Sequence, residues 1–168
     1  NDWLLNCLNG TIDLKTGKLE EHRREDYITF LAPVNYDSNV KSEIFTNFLE
    51  RILPDKGLRE FIQIASGYSI TGDTGEEKLF FAYGPPATGK STLFAGIKSA
   101  LGDYAAQTDF ETFIERKVNS GPRNDIARLA GKRFCLGSEV DEGKKLAESV
   151  VKQITGNDTI TARFLHQE

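Results

Sequence analysis

Residues 84–91 read GPPATGKS and satisfy the spacing G-x-x-x-x-G-K-[ST]. These residue types at this spacing suit one task, the holding of phosphate. Gly84 and Gly89 let the backbone come close to an anion, so that loop N–H groups can point at it. The helix expected after Gly89 aims its positive N-terminal end at the same place. In such a loop Lys90 reaches the β- and γ-phosphates of a nucleoside triphosphate, and the Ser91 hydroxyl ligates Mg²⁺. Pro85, Pro86, Ala87 and Thr88 complete the loop, and Thr92 follows it. The two prolines stiffen the chain and lower the entropy cost of holding the loop open. A glycine-rich turn with a surface lysine is the plain alternative. The flanking pattern argues against it, because an apolar run precedes the loop and an amphipathic stretch follows.

Hydrolysis of a triphosphate also needs a second carboxylate, which holds Mg²⁺ through water and polarises the attacking water. The run RFCLGSE at 133–139 supplies one: an apolar strand ending in Glu139. Asp141 and Glu142 just beyond read as acids of a helix's first turn, where negative charge is favoured. His22 and His166 lack ligand spacing, and neither Cys7 nor Cys135 belongs to a CxxC, so no metal cage is expected apart from Mg²⁺.

The elements that must position these residues follow from periodicity. Residues 3–19 alternate around Asn9-Gly10 and Gly17, which is hairpin chemistry. Residues 27–36 read as a short extended piece, with Pro33 excluding a central strand. Ile44, Phe45, Phe48, Leu49, Ile52 and Leu53 recur at helical spacing, and Pro54 stops the run. A second apolar face carries Leu58, Phe61, Ile62, Ala65 and Tyr68. These two helices are expected to bury their faces on one another and on a sheet. TGDTGEE at 71–77 reads as a linker. It divides the chain into 1–76 and 77–168.

From residue 77 the pattern changes. KLFFAYG is a near-continuous apolar run, the mark of a strand covered on both faces. Leu93, Phe94, Ile97 and Leu101 share a helical face that ends at Gly102. DFETFIERK is compatible with helix, VNSGPRN with a loop, DIARLAG with a short helix, KRFCLGSE with a second buried strand and DEGKKLAESVVKQITG with a helix. NDTITARFLHQE reads as a strand or hairpin. Arg123 and Arg128 suit either an interface or a phosphate, and Lys144, Lys145 and Lys152 suit either DNA or a solvated helix face.

A hydrophobic content of 39% with 27% charged residues excludes a disordered chain. A net charge of −4 argues against a protein that binds nucleic acid over its whole surface. No apolar stretch is long enough to cross a bilayer, and the N-terminus does not resemble a signal peptide. Low cysteine use points to a reducing, cytoplasmic setting. The chain opens at Asn1 and has no Met, which reads as a piece of a longer protein.

GPPATGKST, GKRFCLGSEVDEG and VKQITGNDTITARFL, in that order, resemble the phage and plasmid primase-helicases of the poxvirus type, within the superfamily 3 helicases. LNGTIDLKTGKLEEHRREDYIT resembles the domain that precedes their helicase core. The resemblance implies an α/β fold: a P-loop NTPase parallel-sheet core of AAA+-like type, truncated at its C-terminus and preceded by a small α+β domain with a β-hairpin and helices. It places the Walker A motif on residues 84–91 and the Walker B acid on Glu139. It places a pore-facing, DNA-contacting segment on 152–163, so that Lys152, Arg163 and His166 would touch the phosphate backbone of single-stranded DNA. It also implies ATP with Mg²⁺, hexameric rings, and a bacterial host if a phage or plasmid encodes the protein. Thr88 departs from the Asn common in the family, and Ser138 from an acid common in viral relatives. The family's sensor strand and arginine finger are expected beyond Glu168. Because an arginine finger is worth on the order of 10³–10⁵ in rate, this chain alone is expected to turn over slowly. A P-loop ATPase or kinase that does not act on DNA is the alternative reading, and an ATPase rate indifferent to single-stranded DNA would favour it. An intact Gly84, Gly89, Lys90 and Ser91 weighs against a vestigial loop.

Overall fold

The turn residues near the N-terminus produce a three-stranded antiparallel sheet. In the computed structural model, which describes residues 1–114, 123–137 and 145–156, β1 (Leu4–Cys7), β2 (Gly10–Asp13) and β3 (Lys18–Glu20) lie in sequence order. Cys7 pairs with Gly10 and Asp13 with Lys18, so each turn is short. The extended piece expected at 27–36 lies along β1. Ala32 bridges Cys7 in parallel and donates its N–H to Asn6 O at 2.8 Å, while Leu8 N–H reaches Val34 O at 3.0 Å.

Two helices follow, with the boundaries that their caps dictate. α1 (Glu43–Ile52) starts at Ser42, whose hydroxyl accepts from Phe45 N–H at 3.2 Å. α2 (Lys56–Ile70) starts at Asp55, whose carboxylate accepts from Leu58 N–H at 2.6 Å. Their expected mutual burial is not found: neither helix has a buried residue, and Ile44 and Ile64 are 85% and 72% exposed. An apolar stripe sets which face is available for packing but does not supply the partner.

The expected strand at 78–84 is also corrected. Those residues join no ladder, and Phe81 and Tyr83 are 62% and 93% exposed, the reverse of a strand covered on both faces. A strand exists through its hydrogen-bonded neighbour, and among the described residues none lies beside this run. α3 (Lys90–Leu101) then forms as expected, burying Leu93 and Leu101. β4 (Ala105–Thr108) was not expected, because AAQT lacks the branched residues that mark strands. A short α4 (Asn124–Ala127) precedes β5 (Phe134–Gly137), which pairs with β4 in parallel from Ala105↔Phe134 to Thr108↔Gly137. α5 covers Glu148–Thr155, shorter than the helix expected over 141–156: Lys145, Leu146 and Ala147 are not helical, and Leu146 instead bridges Ile114 in antiparallel fashion. The hairpin expected at 157–168 lies outside the described residues.

The core does not respect the linker at 71–77. Leu5, Cys7, Ile12 and Ala32 pack with Leu101 and Tyr104 in one cluster, bordered by Phe30, Ile97 and Phe134. Gly102 permits this close approach. Its φ of 52° suits glycine, and a Cβ there would stand 2.7 Å from Leu31 O. Asp103 N–H donates to Leu31 O at 3.0 Å, and Leu31 N–H donates to the Asp103 carboxylate at 3.1 Å. Arg133, just before β5, completes the seam. Its guanidinium donates to Asn1 O, Leu4 O and Ile70 O at 2.9–3.0 Å and lies 4.6 Å from the Tyr104 ring centroid. Burial lowers the Arg133 pKa, and the neighbouring Tyr104 and Asp2 work against that shift.

Candidate nucleotide site

The loop before α3 has the shape its glycines allow. Gly84 sits at φ 144°, Ala87 at φ 57° and Gly89 at φ 87°, and Gly89 is the residue from which α3 starts. Leu93 N–H closes the first turn on Gly89 O at 3.0 Å. The first N–H groups of a helix have no partner within it, so the start of α3 offers donors and a positive dipole end. Ser91 and Thr92 occupy that first turn with exposed side chains.

Lys90 folds back over the loop. Its Nζ donates to Pro85 O at 2.7 Å, to Gly84 O at 3.0 Å and to Thr88 Oγ1 at 3.1 Å. Thr88 Oγ1 in turn donates to Pro85 O at 3.0 Å. The ammonium therefore meets neutral acceptors only, beside the N-terminus of α3. A polyphosphate fits that donor set, since anionic oxygens accept from an ammonium more strongly than neutral ones do. Pro86 and Ala87 form the exposed tip of the loop.

Of the other predicted site residues, Lys152 alone falls within the described residues. β5 ends at Gly137, so Glu139 lies outside the described residues, as do Ser138, Asp141 and Glu142. Phe94 of α3 packs against Phe134 of β5, with ring centroids 6.4 Å apart, which ties the helix after the loop to the strand that leads toward Glu139. Lys152 is an exposed α5 residue lying 3.9 Å from Glu148, as a solvated helix face would be. Arg163 and His166 lie outside the described residues. Arg123 is already committed: it pairs with Asp125 at 3.1 Å and donates to Thr112 O at 2.6 Å. Arg128 lies exposed beside a polar cavity of about 480 Å³ that Gln107 and Asp109 also line.

His22 donates from Nε2 to Cys7 O at 2.8 Å, a structural role. Burial pushes the Cys135 thiol up to about 11, so it is no nucleophile at neutral pH. Among the described residues no cluster of His, Cys, Asp and Glu could hold a metal, and no helix is long and apolar enough to cross a membrane. Sequence reasoning missed Arg133 and the contact of Ile52 with Gly89. Neither carries a local signal, because each partner is distant in the chain.

Residues 1–54 match the family described as D5 N terminal like. Over its whole length the chain is 31% identical to a protein of Acanthamoeba polyphaga mimivirus named "Putative helicase", and it covers 18% of that protein. Over 71% of its length it is 27% identical to a "Putative helicase" of Frog virus 3, covering 12% of it. Over 90% of its length it is 27% identical to "Primase D5" of Fowlpox virus, covering 21% of it. The chain thus spans 12–21% of the length of these relatives. The chain is thus similar at its N-terminus to the D5 N terminal like family, and over longer stretches to viral proteins named as helicases and primases.

Proposed function

We propose that this chain is part of an ATP-driven DNA helicase core in a replication primase-helicase. The observation that carries the reading is the loop at 84–91, where Lys90 meets only neutral acceptors at the start of α3. On this reading Lys90 exchanges the Gly84 and Pro85 carbonyls and the Thr88 hydroxyl for the β- and γ-phosphate oxygens of ATP. Backbone N–H groups of loop and helix hold the remaining charge. Ser91 would ligate Mg²⁺, which when bound neutralises charge that develops on the phosphates. Glu139, which follows β5 in the sequence, has the role of orienting the attacking water. Work from hydrolysis drives translocation on single-stranded DNA within a homo-oligomeric ring, with Lys152, Arg163 and His166 as its backbone contacts. The names of the viral relatives support the DNA side of this reading.

The test is ATP turnover by the full-length protein with and without single-stranded DNA. DNA should raise the rate, and Lys90→Ala should abolish it while leaving the fold intact. Turnover that survives Lys90→Ala would sink the assignment of the loop. Turnover indifferent to DNA would instead favour an ATPase or kinase of another class.

A further inference from the structure

Gly89 is crowded from outside its own loop. A Cβ built there would stand 2.6 Å from Cγ2 of Ile52 and 3.3 Å from its Cβ. Ile52 is the last residue of α1, within the 1–54 region, and it is half-buried although most of that helix is exposed. The turn behind it is braced. Leu53 N–H donates to Leu49 O at 2.9 Å, and Arg59 Nη1 donates to Leu53 O at 2.6 Å and to Pro54 O at 3.0 Å. The side chain is thus pressed by a capped helix end and an arginine clamp onto the glycine where loop 84–91 becomes α3. That residue holds φ 87°, and any shift of its backbone re-aims the N–H groups of the first helical turn.

The geometry points to Ile52 as a positioning residue for the phosphate loop, through which the N-terminal region sets nucleotide affinity and reads nucleotide occupancy. This rests on the proposal that the loop binds ATP. Coupling is reciprocal by linkage: if the α1 end steadies the loop for ATP, then bound ATP steadies the α1 end. Ile44, exposed at the other end of the same helix, has no part in it.

The experiment is calorimetric titration of the full chain with Mg-ATP, together with amide hydrogen exchange over 43–54. Ile52→Ala should weaken binding about tenfold, and Ile52→Val about threefold, as expected when a positioned group loosens. Ile44→Ala should bind as the unsubstituted protein does. Mg-ATP should slow exchange at 49–54 in the unsubstituted protein and leave it unchanged in Lys90→Ala. A merely structural Ile52 would not give that nucleotide-dependent protection. If Ile52→Ala fails to fold, Ile52→Val and the exchange measurement decide. Unchanged affinity in the folded Ile52 variants, or exchange at 49–54 that ignores ATP, overturns the inference alone. If the unsubstituted protein takes up no ATP, or Lys90→Ala binds it equally well, the reading of the loop falls and this inference with it.

Discussion

Two regions of the molecule carry similar apolar content and use it in opposite ways. Around Tyr104, residues from β1, β2, the 27–36 segment and the end of α3 interlock, and Leu5, Cys7, Ala32, Leu101 and Tyr104 are 1–6% exposed. From α1 to Tyr83, Ile44, Phe45, Leu58, Phe61, Ile64, Phe80 and Phe81 are 44–85% exposed. The difference is not hydrophobicity. In the first region backbone groups beside the core find side-chain partners from distant segments. Asn6 N–H donates to Tyr104 Oη at 3.1 Å, Tyr104 Oη donates to Phe30 O at 3.3 Å, and Arg133 serves carbonyls of Asn1, Leu4 and Ile70. In the second region the run before loop 84–91 has no ladder, and its contact with α2 is the edge-on Phe61–Phe80 pair at 6.2 Å. Burial is stable only where the backbone that accompanies the side chains is also satisfied.

Three changes would break or sharpen this contrast. The largest effect is expected from Arg133→Ala. It strips charged donors from three carbonyls in two segments, the N-terminus and the end of α2, and removes the contact with the Tyr104 ring, so unfolding free energy should fall by about 3 kcal/mol in a urea titration. A loss within experimental error would show that the seam is held by apolar packing alone. The second concerns Cys135, whose thiol burial raises from an ordinary 9.0 to about 11. Below pH 9 both folded and unfolded chains keep this proton. Between pH 9 and 11 the unfolded chain releases it first, so stability should decline there by about 2–3 kcal/mol. Cys135→Ala should flatten that alkaline limb, and the residual slope belongs to Cys7 and Tyr104, whose pKa values burial also raises. An alkaline limb identical in Cys135→Ala would contradict the burial of the thiol. The smallest effect is expected from Ile64→Ser on exposed α2. Its cost should stay below about 0.5 kcal/mol, as for surface sites generally. A cost comparable to that of Arg133→Ala would mean that this face is a core like the other.

Much of the fold was legible along the chain. The turns near Asn9 and Gly17, the stop at Pro54 and the helix between Gly89 and Gly102 are local events, and local chemistry announces them. The loop at 84–91 was legible for the same reason, since spacing and glycine content are properties of eight consecutive residues. β4 was not, because a short parallel strand draws its identity from the neighbour it pairs with rather than from AAQT. The run at 79–83 misled in the opposite sense, having strand composition and no neighbour among the described residues.

The amino-acid order alone therefore specified where the chain turns near Asn9 and Gly17, where Pro54 and Gly102 stop helices, and where the glycine-rich loop at 84–91 lies. Those features depend on φ preferences, capping groups and spacing within a few residues. Packing in space settled that Arg133 serves three distant carbonyls, that the regions on either side of 71–77 share one core, and that Ile52 rests on Gly89. Each of these joins residues between 37 and 132 positions apart (Ile52 with Gly89, Asn1 with Arg133), and no local preference encodes a contact at that range. Such contacts form only when closure of the long loops between them is outweighed by the burial and hydrogen bonding gained together.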